Sequence, residues 1–517
     1  MDDVVISVEN ISKSFGGVNA LQQVSMTVRR GEIHCLAGEN GSGKSTLIKV
    51  ISGYYRPDSG TIRIDGRTFT SLTPAESIRH GVQVIYQDFS LFPNLSVMEN
   101  LALNAEVARG SHLVSYRRMR ETAQQAVEKI GLDVDMNARV ADLSVADRQM
   151  IAIARALAHK AKVVIMDEAT ASLTRKEVNR LFDVIHAMRD EGVAVVFVSH
   201  KLDEVFEISD AITIFRNGKN VVSCPANEMD EARFSYCMTG REIQAAQTTP
   251  PVGDPGQVAL EARGLCCAGC FENVDFELRR GEILGIAGQL GSGRTELAMA
   301  LFGLRPITGG ELRVGGKPVK LRSVQDAQRL GIAYVPEDRL TEGLFMPQSI
   351  VRNVAITHLG AVSRRGGLLN KHRAARETDN WIQTLSIATD SREAAAQKLS
   401  GGNQQKVVLA KWLAIKPDIL ILNGPTVGVD IGAKQDIYDL LRRYAGEGMS
   451  ILIASDDVRE VETLCNRVLV LRGGRVSRFL TGAEITQTSL TEAAILSKEG
   501  FVACAWSKSC STTRKPM

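Results

Sequence analysis

The sequence predicts an α/β fold written twice in one chain, each copy a parallel core with an antiparallel β subdomain and a helical subdomain added. Three observations predict it. The first is repetition: RRGEIHCLAGENGSGKSTL (29–47) recurs as RRGEILGIAGQLGSGRTEL (279–297), DLSVADRQM (142–150) as KLSGGNQQK (398–406), and VVIMDEAT (163–170) as ILILNGPT (419–426). A period of about 250 residues is a duplicated domain, not a solenoid repeat. The second is the short, continuous, β-branched apolar run, such as VVIMD and AVVFVSH. Such runs read as buried parallel strands. The third is a glycine-rich turn that follows an apolar strand and opens a helix in both copies.

In chain order, each copy starts with alternating strands (VVISVEN, then VSMTVRRGEI in the first). The glycine-rich turn and its helix (STLIKVISG) follow. A polar, helix-rich middle spans roughly 96–160 of the first copy, and the apolar runs then flank further helices. Between the copies lies QTTPPVGDPGQ (247–257), dense in Pro and Gly and without apolar periodicity, hence a linker. The domains are therefore placed at 1–246 and 258–500. The tail 501–517 has no periodicity and is expected to be disordered.

Composition agrees with two domains: 517 residues exceed what one core supports. Hydrophobic and charged contents of 44% and 23% are those of a globular chain. A net charge of +3 exerts no global pull on nucleic acid, so no nucleic-acid partner is expected. The acidic start MDDVVISVENISKSF is unlike a signal peptide. The longest apolar runs fall far short of the roughly 20 residues that span a bilayer, so direct lipid insertion is not expected. Nine scattered cysteines read as reduced thiols. Cys267 and Cys270 form a lone C-x-x-C with no nearby second ligand pair, so packing is favoured over zinc.

The chemistry begins at Gly38, Glu39, Asn40, Gly41, Ser42, Gly43, Lys44 and Ser45, a full G-x-x-x-x-G-K-S after the strand IHCLA, with Thr46 next. Glycines let backbone N–H groups close around phosphate oxygens at a helix N-terminus that already favours an anion. Lys44 is expected to reach the β- and γ-phosphates, and the Ser45 hydroxyl to ligate Mg²⁺. A mere glycine-rich turn is the plain alternative, and the later carboxylates argue against it. Asp167 and Glu168 end the strand VVIM. Asp167 suits Mg²⁺ through water, and Glu168 is placed to deprotonate an attacking water. His200 ends AVVFVS, a strand expected to point into the same crevice, so a γ-phosphate contact is preferred to a structural role.

These residues, with LSGGN downstream, resemble the ATP-binding-cassette ATPases, P-loop (RecA-like) domains that bind and hydrolyse ATP with Mg. The duplicated form resembles the monosaccharide-importer branch (ribose, galactose, arabinose or xylose type). The markers are YQDFSLFPNLSVMEN, LSVADRQMIAIARAL, GSGRTEL, YVPEDRLTEGLF and KLSGGNQQKVVLAKWL, and the likeness covers residues 4 to about 495. The resemblance implies that Phe15 stacks on adenine, although a core Phe is the plain reading. It implies that Gln87 senses Mg²⁺ and water, with residues 88–100 touching a membrane subunit. Ser400, Gly401 and Gly402 resemble the signature that closes over the γ-phosphate from the opposite domain. The implied partners are transmembrane permease subunits, as a dimer, and through them a periplasmic sugar-binding protein. The implied place is the cytoplasmic face of a bacterial inner membrane, held peripherally.

Head-to-tail packing in that family joins Lys44, Ser45, Asp167, Glu168 and His200 to Ser400–Gly402, all intact. The second site, with Gly288, Gly293, Arg294 and Thr295 facing Ser144, is degenerate. Arg294 stands for Lys, Asn423 and Gly424 stand for Asp-Glu, Asp456 stands for His and Glu337 for Gln. No aromatic lies in 259–270, and the first signature reads Ser144-Val145-Ala146-Asp147. The changes are expected to remove the metal carboxylate and the base, leaving one hydrolytic site. Two rival classes fit less well. A ribosome-directed ATPase resembles this chain but carries a long charged linker and two intact sites. A DNA-maintenance ATPase needs zinc modules or long heptad arms, and neither is visible.

Overall fold

Strand pairing sorts the predicted elements into two sheets per copy, in a computed structural model that describes residues 3–86, 90–108, 115–158, 161–170, 173, 175–199, 201–240, 257–363 and 370–494. The chain divides into two compact units that change over between residues 243 and 244. In the first unit the strands are β1 (Val4–Phe15), β2 (Val18–Arg29), β3 (Ile33–Gly38), β4 (Ser59–Ile64), β5 (Arg67–Phe69), β6 (Val82–Ile85), β7 (Val163–Asp167), β8 (Ala194–Val198), β9 (Ala211–Arg216) and β10 (Lys219–Pro225).

The antiparallel sheet has the order β2-β1-β4-β5. Phe15 pairs with Val18, so Gly16 and Gly17 form a two-residue hairpin loop with φ of 53° and 89°. Positive φ at both positions is what this tight turn demands, and glycine meets it without strain. The larger sheet has the order β10-β9-β3-β8-β7-β6, parallel except for β10. Every residue of β3 and β8 is buried, as expected for strands covered on both faces. Cutting Leu36, fully buried in β3, to Ala would remove roughly 2–5 kcal/mol. The helical region holds Val97–Ala108, Tyr116–Lys129 and Val145–Ala158, matching the expected helix-rich middle.

The second unit repeats the plan with β11 (Val258–Cys267), β12 (Phe271–Arg279), β13 (Ile283–Ala287), β14 (Gly309–Val314), β15 (Lys317–Val319), β16 (Ile332–Val335), β17 (Ile419–Asn423), β18 (Ser450–Ser455), β19 (Arg467–Arg472) and β20 (Arg475–Thr481). Its sheets run β12-β11-β14-β15 and β16-β17-β18-β13-β19-β20. The hairpin differs: Cys267 pairs with Phe271, and the Cys270 N–H donates to the Cys267 carbonyl at 2.9 Å across a longer turn. Cys267 is buried there and its thiol is pushed up to about 11, first by burial and then by Cys270. The Arg305 guanidinium donates to Cys270 Sγ at 3.7 Å. Among the described residues no helix is long and apolar enough to cross a membrane. The linker, apart from Gln257, and the tail 501–517 lie outside the described residues.

Candidate phosphate-binding sites

In each unit the C-terminal ends of the parallel strands converge on one edge of the sheet, where open α/β sheets bind ligands. The first loop leaves β3 at Gly38 (φ 153°) and turns at Gly41 and Gly43 (φ 82° and 105°) into the helix Lys44–Ile51. A Cβ on Gly43 would stand 2.6 Å from the Ala20 carbonyl oxygen, so only glycine lets the loop lie against β2. The Ser42 N–H donates to the Glu39 carbonyl at 3.1 Å, closing the loop. Asn40 is exposed at its tip and Thr46 half-buried in the helix. Ser42 Oγ is buried inside and has no hydrogen-bond partner.

Lys44 is only 6% exposed and its ammonium donates to the Gly38 and Glu39 carbonyls at 2.5 and 3.0 Å. Burial pulls Lys44 below its ordinary value, while the carboxylates of Glu168 and Asp167 act against that. Asp167 is pushed up, first by burial and then by Glu168, with Lys44 and a hydrogen bond from Ser45 opposing. Ser45, Asp167, Glu168 and Lys44 are thus one electrostatic cluster. Orphaned Ser42 Oγ, a glycine cradle and a Ser–Asp oxygen pair fit a phosphate ester with Mg²⁺. Glu168 has φ 50°, the left-handed region, and its N–H donates to the Val198 carbonyl at 3.2 Å. The bend turns the chain sharply after β7. Gln87 and His200 lie outside the described residues.

Phe15, 41% exposed, ends β1 and packs edge-on against Tyr55 at 5.0 Å. It is therefore not a core Phe, and the Lys13 ammonium lies over its ring, 5.5 Å from the centroid.

The second loop keeps the backbone of the first. Gly291 and Gly293 have φ of 80° and 96° and lead into the helix Arg294–Leu301. A Cβ on Gly288 would stand 2.7 Å from the Leu471 carbonyl oxygen. The side chains differ. Arg294, 2% exposed, has Nη1 3.1 Å from Asp456 Oδ1 and Nη2 3.9 Å from Glu337 Oε1. Thr295 Oγ1 lies 3.5 Å from Glu337 Oε2 and 3.4 Å from Asn423 Oδ1, and Asn423 Nδ2 lies 3.4 Å from Glu337 Oε2. Glu337, which stands at the Gln position, thus brings its carboxylate to Thr295 and Asn423 just beyond β16. Gly424 takes the same bend as Glu168, with φ 56°, and carries no side chain there.

The signatures open helices in both units but are not equivalent. Ser144 donates to its own Asp147 carboxylate at 2.7 Å and accepts from the Asp147 N–H at 3.1 Å, so the hydroxyl is spent within its own turn. Ser400 caps the helix Gly401–Leu413 and its Oγ accepts from Asn403 at 2.8 Å. Gly402 is buried, and a Cβ on Gly401 would stand 2.9 Å from Arg339 Nη2 and 3.0 Å from the Gly428 carbonyl oxygen.

Sequence reasoning missed a buried carboxylate behind each site. Glu204, 4% exposed, accepts from Thr170 at 2.6 Å and Ser199 at 3.0 Å through one oxygen and from Lys201 at 2.9 Å through the other. Thr170 lies two residues after Glu168, and Ser199 just before His200. Glu460 does the same for Thr426 at 2.7 Å. The only signal was a Glu recurring shortly after each strand end, in SHKLDE and SDDVRE.

Comparison with known proteins is extensive. The family model described as "ABC transporter" matches residues 21–171 and 271–427. The chain is 43% identical over 500 residues to "Ribose import ATP-binding protein RbsA 1" of Rubrobacter xylanophilus, covering 96% of this chain and 99% of that protein. It is 40% identical over 484 residues to "Ribose import ATP-binding protein RbsA" of Bacillus licheniformis, covering 93% and 97%. It is 39% identical over 494 residues to "Putative ribose/galactose/methyl galactoside import ATP-binding protein" of Geobacillus kaustophilus, covering 95% and 98%. With two phosphate loops, two signatures and a match spanning nearly its whole length, the chain belongs to the ABC transporter family, as a P-loop ATPase with two fused nucleotide-binding domains.

Proposed function

We propose that this chain powers import of ribose or a related monosaccharide, and that it hydrolyses ATP at one site only. The sugar reading is supported by the names of relatives aligned over nearly their full length. The one-site reading is carried by a single observation. Lys44, Ser45, Asp167 and Glu168 form one charged cluster at the first loop, whereas Gly424 leaves the second without a base.

On this reading the loop N–H groups and Lys44 bind the phosphates, and the helix Lys44–Ile51 adds its N-terminal dipole. Ser45, Asp167 and Gln87 would hold Mg²⁺, which when bound neutralises charge on the phosphoryl oxygens. Glu168 orients the attacking water and takes its proton on a carboxylate oxygen, with His200 against the γ-phosphate. Ser400, Gly401 and Gly402 supply the signature that completes this site in the assembled transporter. The permease dimer, the periplasmic binding protein and the cytoplasmic-face location complete the reading, each taken from the resemblance.

The test is steady-state ATPase of the importer reconstituted with its permease. Glu168→Gln should bind ATP yet turn over at least about a hundredfold more slowly. Turnover within twofold of wild type would refute the assignment.

A further inference from the structure

The second phosphate loop has kept its backbone while losing its base, and the reason lies in what now surrounds Arg294. Ser292 is 6% exposed and its Oγ has no hydrogen-bond partner. It sits beneath Gly288, on the inner side of the loop. Arg294 Nη1 is equally buried and is also without a hydrogen bond, although Asp456 Oδ1 lies 3.1 Å away as an ion-pair partner. A polar hydroxyl and half a guanidinium are therefore aimed into a loop whose N–H groups favour an anion. Burying the Ser292 hydroxyl without a partner is costly, and a phosphate oxygen would satisfy it.

The same surroundings limit how much phosphate fits. Lys44 and Arg294 hold matching places, where a side chain reaches the outer phosphates. At the second loop a carboxylate, Asp456, already lies against that side chain, at the end of β18. A terminal phosphate there would meet a like charge at close range. One elementary charge about 4 Å away at an effective dielectric near 20 corresponds to roughly 10²–10³-fold in affinity. Asp456 is half-exposed, so screening reduces this to about tenfold or somewhat more. Oxygen ligands for a metal are still at hand: the Thr295 hydroxyl lies 3.5 Å from a Glu337 carboxylate oxygen and 3.4 Å from the Asn423 amide oxygen, while the Asn423 amide nitrogen faces Glu337. Beside the loop lies a cavity of about 1430 Å³, bordered by Gly291, Gly293, Cys267, Cys270, Met299 and Arg305, with room for a nucleoside.

We propose that the second loop is a nucleoside-diphosphate site, supported by a divalent cation, in which Asp456 takes the place of the terminal phosphate. The loop would then hold ADP where the first takes ATP. The assignment concerns the loop that the proposed hydrolysis does not use, so its failure leaves that reading intact.

The experiment is photolabelling of the full chain, with Mg²⁺, by 8-azido-ADP and 8-azido-ATP, followed by mapping of labelled peptides. Label on peptides of residues 258–363 should half-saturate at an at least tenfold lower concentration of the diphosphate. Asp456→Asn should bring the two within about threefold, by improving the triphosphate. A thermal melt of the variant shows that it is folded, and the wild-type comparison stands without it. Equal labelling of the second half by both probes, a preference for the triphosphate, or no second-half label from either would overturn the proposal.

Discussion

Replacing Glu204 by Ala should damage both stability and turnover, and the structure sets the size of each. The side chain is buried and its Oε2 accepts two hydroxyl hydrogen bonds, from Thr170 and Ser199. Removing it orphans both hydroxyls, each at roughly 1–1.5 kcal/mol. The pair with Lys201 adds up to about 1 kcal/mol, because that ammonium is 43% exposed. The sum is roughly 3 kcal/mol, which in a unit of this size lowers Tm by about 6–12 °C. Glu204→Gln is the control. Its amide oxygen keeps both hydroxyls and its NH₂ faces Lys201, so it should lose only about 1 kcal/mol. Turnover follows the same order. Thr170 trails Glu168 by two residues, so a loosened Thr170 lets the proposed base drift, at roughly 10–100-fold in kcat with KM unchanged. The assays are a thermal melt and ATPase kinetics of the reconstituted importer. Equal losses for the Ala and Gln variants, or an Ala variant with wild-type kcat, would refute the reasoning.

Three further outcomes are expected. Ser400→Arg should abolish ATPase activity, whereas Ser144→Ala should cost several-fold at most, because the Ser144 hydroxyl is already spent on Asp147; equal losses in steady-state ATPase would mean that both sites hydrolyse. Glu460 is pushed up to about 7 by burial. The folded state therefore holds its proton where the unfolded state has lost it, so stability is full below about pH 4.5 and falls as pH rises to 7, by up to roughly 3 kcal/mol. Melts of wild type between pH 5 and 8 should show that fall, and Glu460→Gln should flatten it. Lys44→Ala should eliminate hydrolysis while Arg294→Ala leaves most of it, and an equal effect on single-turnover rates would contradict the division of labour.

What could be read from the sequence was whatever is contiguous along the chain. The first phosphate loop, Asp167-Glu168 and the signatures are runs of adjacent residues whose order alone fixes their chemistry. The duplicated plan was legible for the same reason, whereas the exposure of Phe15 was not, since a core Phe is the plain reading of that residue. Strand order was not: nothing local tells β3 to lie between β8 and β9. Glu337 could be read at the Gln position, but it stands 86 residues from Asn423, and its approach to that side chain comes only from the fold. Glu204 and Glu460 escaped because a Glu in a helix reads as solvent-facing until the fold buries it.

Glu168 and Gly424 share one left-handed bend, and that shared bend makes the difference between the halves hard to reverse. A glutamate there is held against a backbone preference of about 1–2 kcal/mol, while glycine sits at ease. In the second half a Cβ at 424 would also stand 2.9 Å from Val427 Cγ2 and 3.2 Å from Glu337 Cγ. Placing an acid at 424 alone would therefore meet both strain and crowding. On the proposed one-site reading the asymmetry thus behaves as a ratchet: Gly424→Glu alone would not restore hydrolysis at the second loop.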